Sequence, residues 1–64
     1  MKVFIAVKFK PFQSEEFVGV AKSRKKAMEI LKKEFPYMRE EDETLVSDKN
    51  MTYLLNVIEY EMED

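Results

Sequence analysis

FVGVAKSRKKAMEILKKEFP, residues 17–36, is the stretch that decides the fold. It opens on Phe17, Val18, Gly19, Val20 and Ala21, a short apolar run of the kind that suits a pleated sheet. Ser23 follows as a helix N-cap, because its hydroxyl can accept from an early backbone N–H. Ala27, Ile30, Leu31 and Phe35 then recur at helical spacing, with Met28 at the margin of that face. Lys25, Glu29, Lys32 and Lys33 fall largely opposite. Pro36 ends the helix, since the residue before a proline is pushed out of the α region. The stretch predicts a strand over 17–21 and a helix over 24–35. Glu29 and Lys33 are four apart in the favourable order, worth a few tenths of a kcal/mol. Gly19 is the only glycine. In a strand it marks a bulge or a close approach, and packing beneath the helix is favoured over a ligand contact.

Upstream, Val3, Ile5, Val7 and Phe9 alternate with Phe4, Ala6, Lys8 and Lys10, the period of a strand. Its start is apolar on both faces, and Pro11 stops it. The short polar connection over 12–16 makes the two strands antiparallel neighbours. Downstream, residues 36–43 read as a polar connection with Tyr37 and Met38 as anchors, and 44–47 as a short strand. Asp48, Lys49 and Asn50 are turn formers. Residues 51–62 fit a helical stripe (Met51, Leu54, Leu55, Ile58, Met62). They also fit a strand with Tyr53, Leu55 and Val57 on one face and Leu54, Ile58 and Tyr60 on the other. The Tyr, Val and Ile content favours strand. The far end, 61–64, is expected to fray. The fold class is α+β: a small antiparallel sheet, β-β-α-β with room for a fourth strand, and one helix packed on one face.

Sixty-four residues make one domain, 1–64. A chain this short buries only roughly 60% of its unfolded surface, so domains of this size often rely on disulfides, a metal or a partner subunit. The sequence has no Cys and no His. Disulfides, thiolate zinc sites and the commonest transition-metal ligand are therefore excluded, which leaves oligomerisation or else an unusually good core. The same absences remove Ser-His and Cys-His nucleophile pairs, and so small a chain struggles to enclose a pocket of about 300 Å³. A non-enzyme without cofactor or metal is expected. No apolar run approaches a membrane span and none resembles an export signal, so the expected location is cytoplasmic, away from membranes.

Charge is divided along the chain. Residues 1–33 carry nine basic and three acidic side chains, and 34–64 carry two basic and ten acidic. Such asymmetry suggests an electrostatic partner. Lys22, Arg24, Lys25 and Lys26 crowd the predicted helix N-terminus, where each cation costs about 0.3–1 kcal/mol against the macrodipole. A local rule broken without gain can mark function. These four, with Lys8 and Lys10, are candidates for an anion or an acidic protein surface; the bland alternative is neutralisation by the acidic half on folding. Glu40, Glu41, Asp42 and Glu43 are the opposite candidate patch for a basic partner. They lack the spacing and glycine of a calcium loop, and a solvated loop is the plainer reading. Glu59, Glu61 and Glu63 alternate, as charges that discourage pairing of an edge strand do.

Aromatics beside Lys8 and Lys10 could stack bases as RNA-binding sheets do, but the signature octamer of that family is absent. Most rings belong to the core, with Phe12 and Tyr37 expected at an interface. The layout MKVFIAVKF, FVGVAKSRKKAMEILKKEF and YLLNVIEYEMED resembles small ββαβ proteins of phages and their bacterial hosts. The resemblance implies no fixed activity and transfers no residues; it favours binding and inhibition of a host protein. The functional expectation is a protein-interaction module with a protein partner, also forming a homodimer. The alternative is a nucleic-acid-binding module using the basic cluster.

Overall fold

The computed structural model describes residues 1–63. The elements run β1 (Lys2–Phe9), β2 (Glu16–Ala21), α1 (Arg24–Glu34), β3 (Arg39–Glu41), β4 (Thr44–Val46) and β5 (Leu54–Glu61). All five strands join one antiparallel sheet in the order β2-β1-β5-β4-β3. The α+β class holds, and the sheet gains β4 where 44–47 predicts it. It also gains β3, which lies in the stretch read as a polar connection. Residues 51–62 resolve as strand, with Tyr53, Leu55 and Val57 turned to α1.

Small residues let α1 come close. Ala6, Ala27, Leu31, Leu55 and Val57 form the buried cluster, flanked by Phe4, Val18, Ala21, Met28, Phe35, Met38, Leu45 and Tyr53. Gly19 sits opposite Ala6, and the register slips between Ala6 and Val7, so Val18 is the extra residue of a bulge. A Cβ on Gly19 would lie 2.9 Å from Ile30 Cγ2. Gly19 therefore serves both the bulge and the close approach of the helix. Ser23 caps α1 as expected, its hydroxyl accepting from the Lys26 N–H at 3.2 Å. Phe35 becomes the C-cap rather than the last helical residue.

Of the end expected to fray, Glu61 and Met62 are tied to the sheet. β5 runs to Glu61, the Met62 N–H donates to the Met1 carbonyl at 2.7 Å, and the Met1 ammonium returns a bond to the Met62 carbonyl at 3.2 Å. Asp64, the last residue of the predicted frayed end, lies outside the described residues.

Three tight connections use positive φ without glycine. The Gln13 N–H donates to the Lys10 carbonyl, with Pro11 second and Phe12, at φ 65, third. This is a type II arrangement, whose third position favours Gly. In the 48–51 turn, Met51 has φ 55, and the Asp48 carboxylate accepts from the N–H groups of Asn50 and Thr52 and from the Thr52 hydroxyl. The Thr52 N–H is the main reason its pKa lies below the ordinary carboxylate value. Between β3 and β4, Asp42 and Glu43 have φ 50 and 65, the two-residue type I′ loop that matches sheet twist. Glu43→Gly is expected to raise stability by about 0.5–1 kcal/mol by removing the left-handed penalty of a side chain. A urea titration checks the gain.

Candidate interaction surfaces

The sheet holds the basic cluster apart from the acidic hairpin, while Lys2 and Glu59, from opposite halves of the chain, meet across β1 and β5. Lys22 follows β2 at one edge, while Glu40, Glu41, Asp42 and Glu43 occupy the β3–β4 hairpin at the other. Four inter-strand spacings separate those edges, about 19 Å, more than two Debye lengths at physiological salt. Among the described residues the ion pairs are Lys2–Glu59 at 3.7 Å, Lys8–Glu16 at 3.6 Å and Arg39–Glu41 at 2.6 Å. None involves Lys22, Arg24, Lys25 or Lys26. Glu29 and Lys33 do not close the helical pair that their spacing suggests.

The six basic candidates do not form one surface. Phe4 pairs with Ala21, next to Lys22, whereas Lys8 stands four residues further along β1, about 13 Å away, and Lys10 further still. Lys8 and Lys10 are also occupied: their ammonium groups lie 4.8 and 5.2 Å from the centre of the Tyr53 ring, and Lys8 is 6.0 Å from that of Phe35. The rings that might have stacked bases carry lysines from their own sheet instead. Arg24 turns inward, its guanidinium 5.5 Å from the centre of the Phe4 ring and 3.5 Å from the Val57 carbonyl.

That contact has a structural cause. β4 pairs with β5 at Leu54 and Leu55. The Met1–Met62 exchange fixes the phase of the β1–β5 ladder, so even-numbered β5 residues bond β1 and the backbone groups of Val57, Glu59 and Glu61 point the other way. There the Asn56 side-chain oxygen accepts from the Val57 N–H at 2.9 Å, and Arg24 reaches the Val57 carbonyl. Side chains thus replace the missing strand. Glu59 and Glu61 extend the same open edge, where acidic charge opposes pairing with another acidic edge. β5 lies inside the sheet order, so the expected edge position holds only for this half of the strand.

Lys22 and Lys26 instead line a groove of about 530 Å³ between the outer edge of β2 and α1. Val20, Ala21, Glu29, Ile30 and Lys33 complete it. Ile30, Glu29 and Lys33 were readable as helix positions but not as groove walls; the signal was the 26, 29, 30, 33 spacing, one stripe of the helix, with Lys22 joining from the β2–α1 connection. Lys25 is exposed and lies outside the groove. No acidic residue occupies the first turn of α1. Lys25→Glu is accordingly expected to raise stability by about 1 kcal/mol, or roughly 5 °C in Tm at fixed protein concentration, without touching the groove. Thermal melting by circular dichroism measures it.

The acidic hairpin has a different character. Glu40 and Glu43 border a second hollow of about 390 Å³ with Phe9, Thr44, Leu45, Leu55 and Asn56. Among the described residues no three acidic side chains converge as metal ligands would.

The sheet face away from α1 is the third surface. Its positions on β1, β5 and β2 include Met1, Val3, Ile5, Phe17, Val20, Ile58, Tyr60 and Met62. None of these side chains is charged, in a chain that is 38% charged. Phe17, Val20, Ile58, Tyr60 and Met62 are between 37% and 67% exposed. Phe12 and Tyr37 are exposed as well, at separate loops. Among the described residues no helix is long and apolar enough to cross a membrane.

The architecture defines a class: an antiparallel α+β domain with an open sheet face, one helix among the described residues, a basic cluster after β2 and an acidic β3–β4 hairpin at the far edge. No family model, curated protein or solved structure matches the chain.

Proposed function

We propose that the chain is a non-enzymatic protein-interaction module that forms a homodimer through its open sheet face. The uncharged apolar part of that face, over β2, β1 and β5, carries this reading; Arg39 and Glu41 on β3 lie at its far side. Its well-exposed members amount to about three fully exposed large side chains, roughly 600 Å² per copy and about 1,200 Å² for a pair. That reaches the lower end of specific interfaces and the upper end of what a monomer leaves open. A second copy suits the face because an isologous contact sets a surface against itself, and an uncharged surface does so without like-charge repulsion. The open half of β5 lacks that property, since the acidic Glu59 and Glu61 would meet acidic charge there. A small core without cysteines for a disulfide gains most from such a partner.

Sedimentation equilibrium tests the dimer. The parent chain is expected to sediment as a dimer in the micromolar range, and a Phe17→Lys plus Tyr60→Lys variant as a folded monomer. A parent chain that stays monomeric and folded over that range overturns the reading. The finer reading, a phage-encoded modulator of a host protein in the cytoplasm, rests on sequence layout and small size. The nucleic-acid alternative loses support because its six basic residues are dispersed and no aromatic side chain lines the groove.

A further inference from the structure

We infer that the groove between β2 and α1 binds an extended acidic segment of a partner protein, which adds to the sheet as a sixth strand. Three independent features meet there. The first is an open strand edge. β2 ends the sheet. Phe4 pairs with Ala21 and Ala6 with Gly19. Those pairs alternate with Ile5–Val20, so the Val20 backbone N–H and C=O point away from β1 into the groove. An edge of this kind offers a ladder to an extended chain. Unlike β3, whose Arg39, Glu40 and Glu41 are all charged, β2 reads EFVGVA and carries only Glu16 at its start and the bulge at Val18 to guard its edge.

The second feature is the shape of the wall. α1 stands beside the edge, and Ile30 provides an apolar floor against Gly19. A strand laid along β2 would set alternate side chains against that floor, and those between would face solvent on the open face. The third feature is charge. Lys22, Lys26 and Lys33 rim the groove against the single acid Glu29, and none of the three has an ion-pair partner among the described residues. An acidic strand would supply the missing anions and offset the crowding of cations at the helix start.

Two other occupants fit less well. A nucleic acid would find no aromatic side chain for its bases, and an apolar floor in place of phosphate donors. The Glu59 and Glu61 edge of a second copy has the right charge. Each β2-to-β5 contact would however leave another β2 and another β5 open, so copies would add without closing.

The inference rests on the reading of the chain as an interaction module but not on the dimer. The probe is a capped hexapeptide of alternating valine and glutamate, titrated into ¹⁵N-labelled protein with sedimentation run on the same samples. Expected are shifts at Val20, Ala21, Lys22, Lys26, Ile30 and Lys33, and affinity about tenfold weaker at high salt than at low salt. In a Lys22→Glu plus Lys26→Glu variant with a folded spectrum, the preference should reverse toward the valine–lysine hexapeptide. No shift at millimolar peptide overturns the inference, as do shifts confined to the open face or equal binding of both peptides by the parent chain. An oligothymidylate that shifts these residues while the acidic peptide does not replaces it with a nucleic-acid site. Groove shifts that grow with protein concentration alone, without peptide, replace it with self-assembly. A dimer that ignores the peptide removes only the groove; a monomer that binds it removes only the dimer.

Discussion

Leu31→Ala is expected to leave little of the chain folded. Leu31 is fully buried at the centre of the helix–sheet contact, beside Ala27, Ala6, Leu55 and Val57. Truncating a buried leucine costs about 2–5 kcal/mol, and the larger values apply where the surroundings cannot collapse. Here the neighbours on the sheet are anchored by the long β1–β5 ladder, and α1 is held at one end by Ser23 and at the other by the tight 34–36 exit. A loss near 3–4 kcal/mol is therefore expected. A chain of 64 residues holds only roughly 3–10 kcal/mol in total. Far-ultraviolet circular dichroism and the urea midpoint measure the loss; a change under 1 kcal/mol would mean that α1 does not pack as described.

Gly19→Val is the second large effect. Its Cβ would fall 2.9 Å from Ile30 Cγ2 and 3.3 Å from Ile30 Cδ1. Ile30 cannot swing clear easily, because a β-branched side chain on a helix has one strongly preferred rotamer. Either α1 lifts from β2 or the bulge shifts, at a cost of about 2–3 kcal/mol. Ile30→Ala alone removes a half-buried side chain and costs about 1–2 kcal/mol. The double variant is expected to cost less than the sum of the two by about 1–2 kcal/mol, because the alanine makes room for the valine. Additive costs in urea denaturation would place Gly19 away from Ile30.

Much of the architecture was legible because strong local signals agreed. Ser23 and Pro36 bracket the helix, and Tyr53 to Tyr60 alternate as a strand must. The β3–β4 hairpin was hidden for physical reasons. Arg39-Glu40-Glu41 has no apolar residue to report a buried face, and its turn places Asp42 and Glu43 where a sequence reader looks for Asn-Gly or Asp-Gly. The pairing of that edge is carried by backbone bonds and by Leu45 and Val46 on the neighbouring strand. β1 is apolar on both faces, so its alternation could not say which face receives the helix. Ala6 and Gly19 decide that, because only their side allows a helix so near.

The candidate surfaces were legible in part. The separation of charge is visible in the chain; the structure keeps the Lys22 cluster apart from the 40–43 hairpin but brings Lys2 onto Glu59. The positions of the charges were not visible. Lys8 and Lys10 are drawn onto Tyr53, Arg24 is turned to the open end of β5, and Lys33, in the last turn of the helix, joins Lys22 and Lys26. Spacing along a helix shows which side chains share a face, but which neighbour they overlook depends on the strand order.

The open sheet face as a contact between copies is the central claim, and isotope-filtered NMR on an equal mixture of labelled and unlabelled chains tests it most directly. Intermolecular contacts are expected between the side chains of Phe17, Val20, Ile58 and Tyr60 of opposite copies, with α1 free of them. Contacts through the helix or the hairpin, or relaxation of a 7.7 kDa monomer at millimolar concentration, would contradict it.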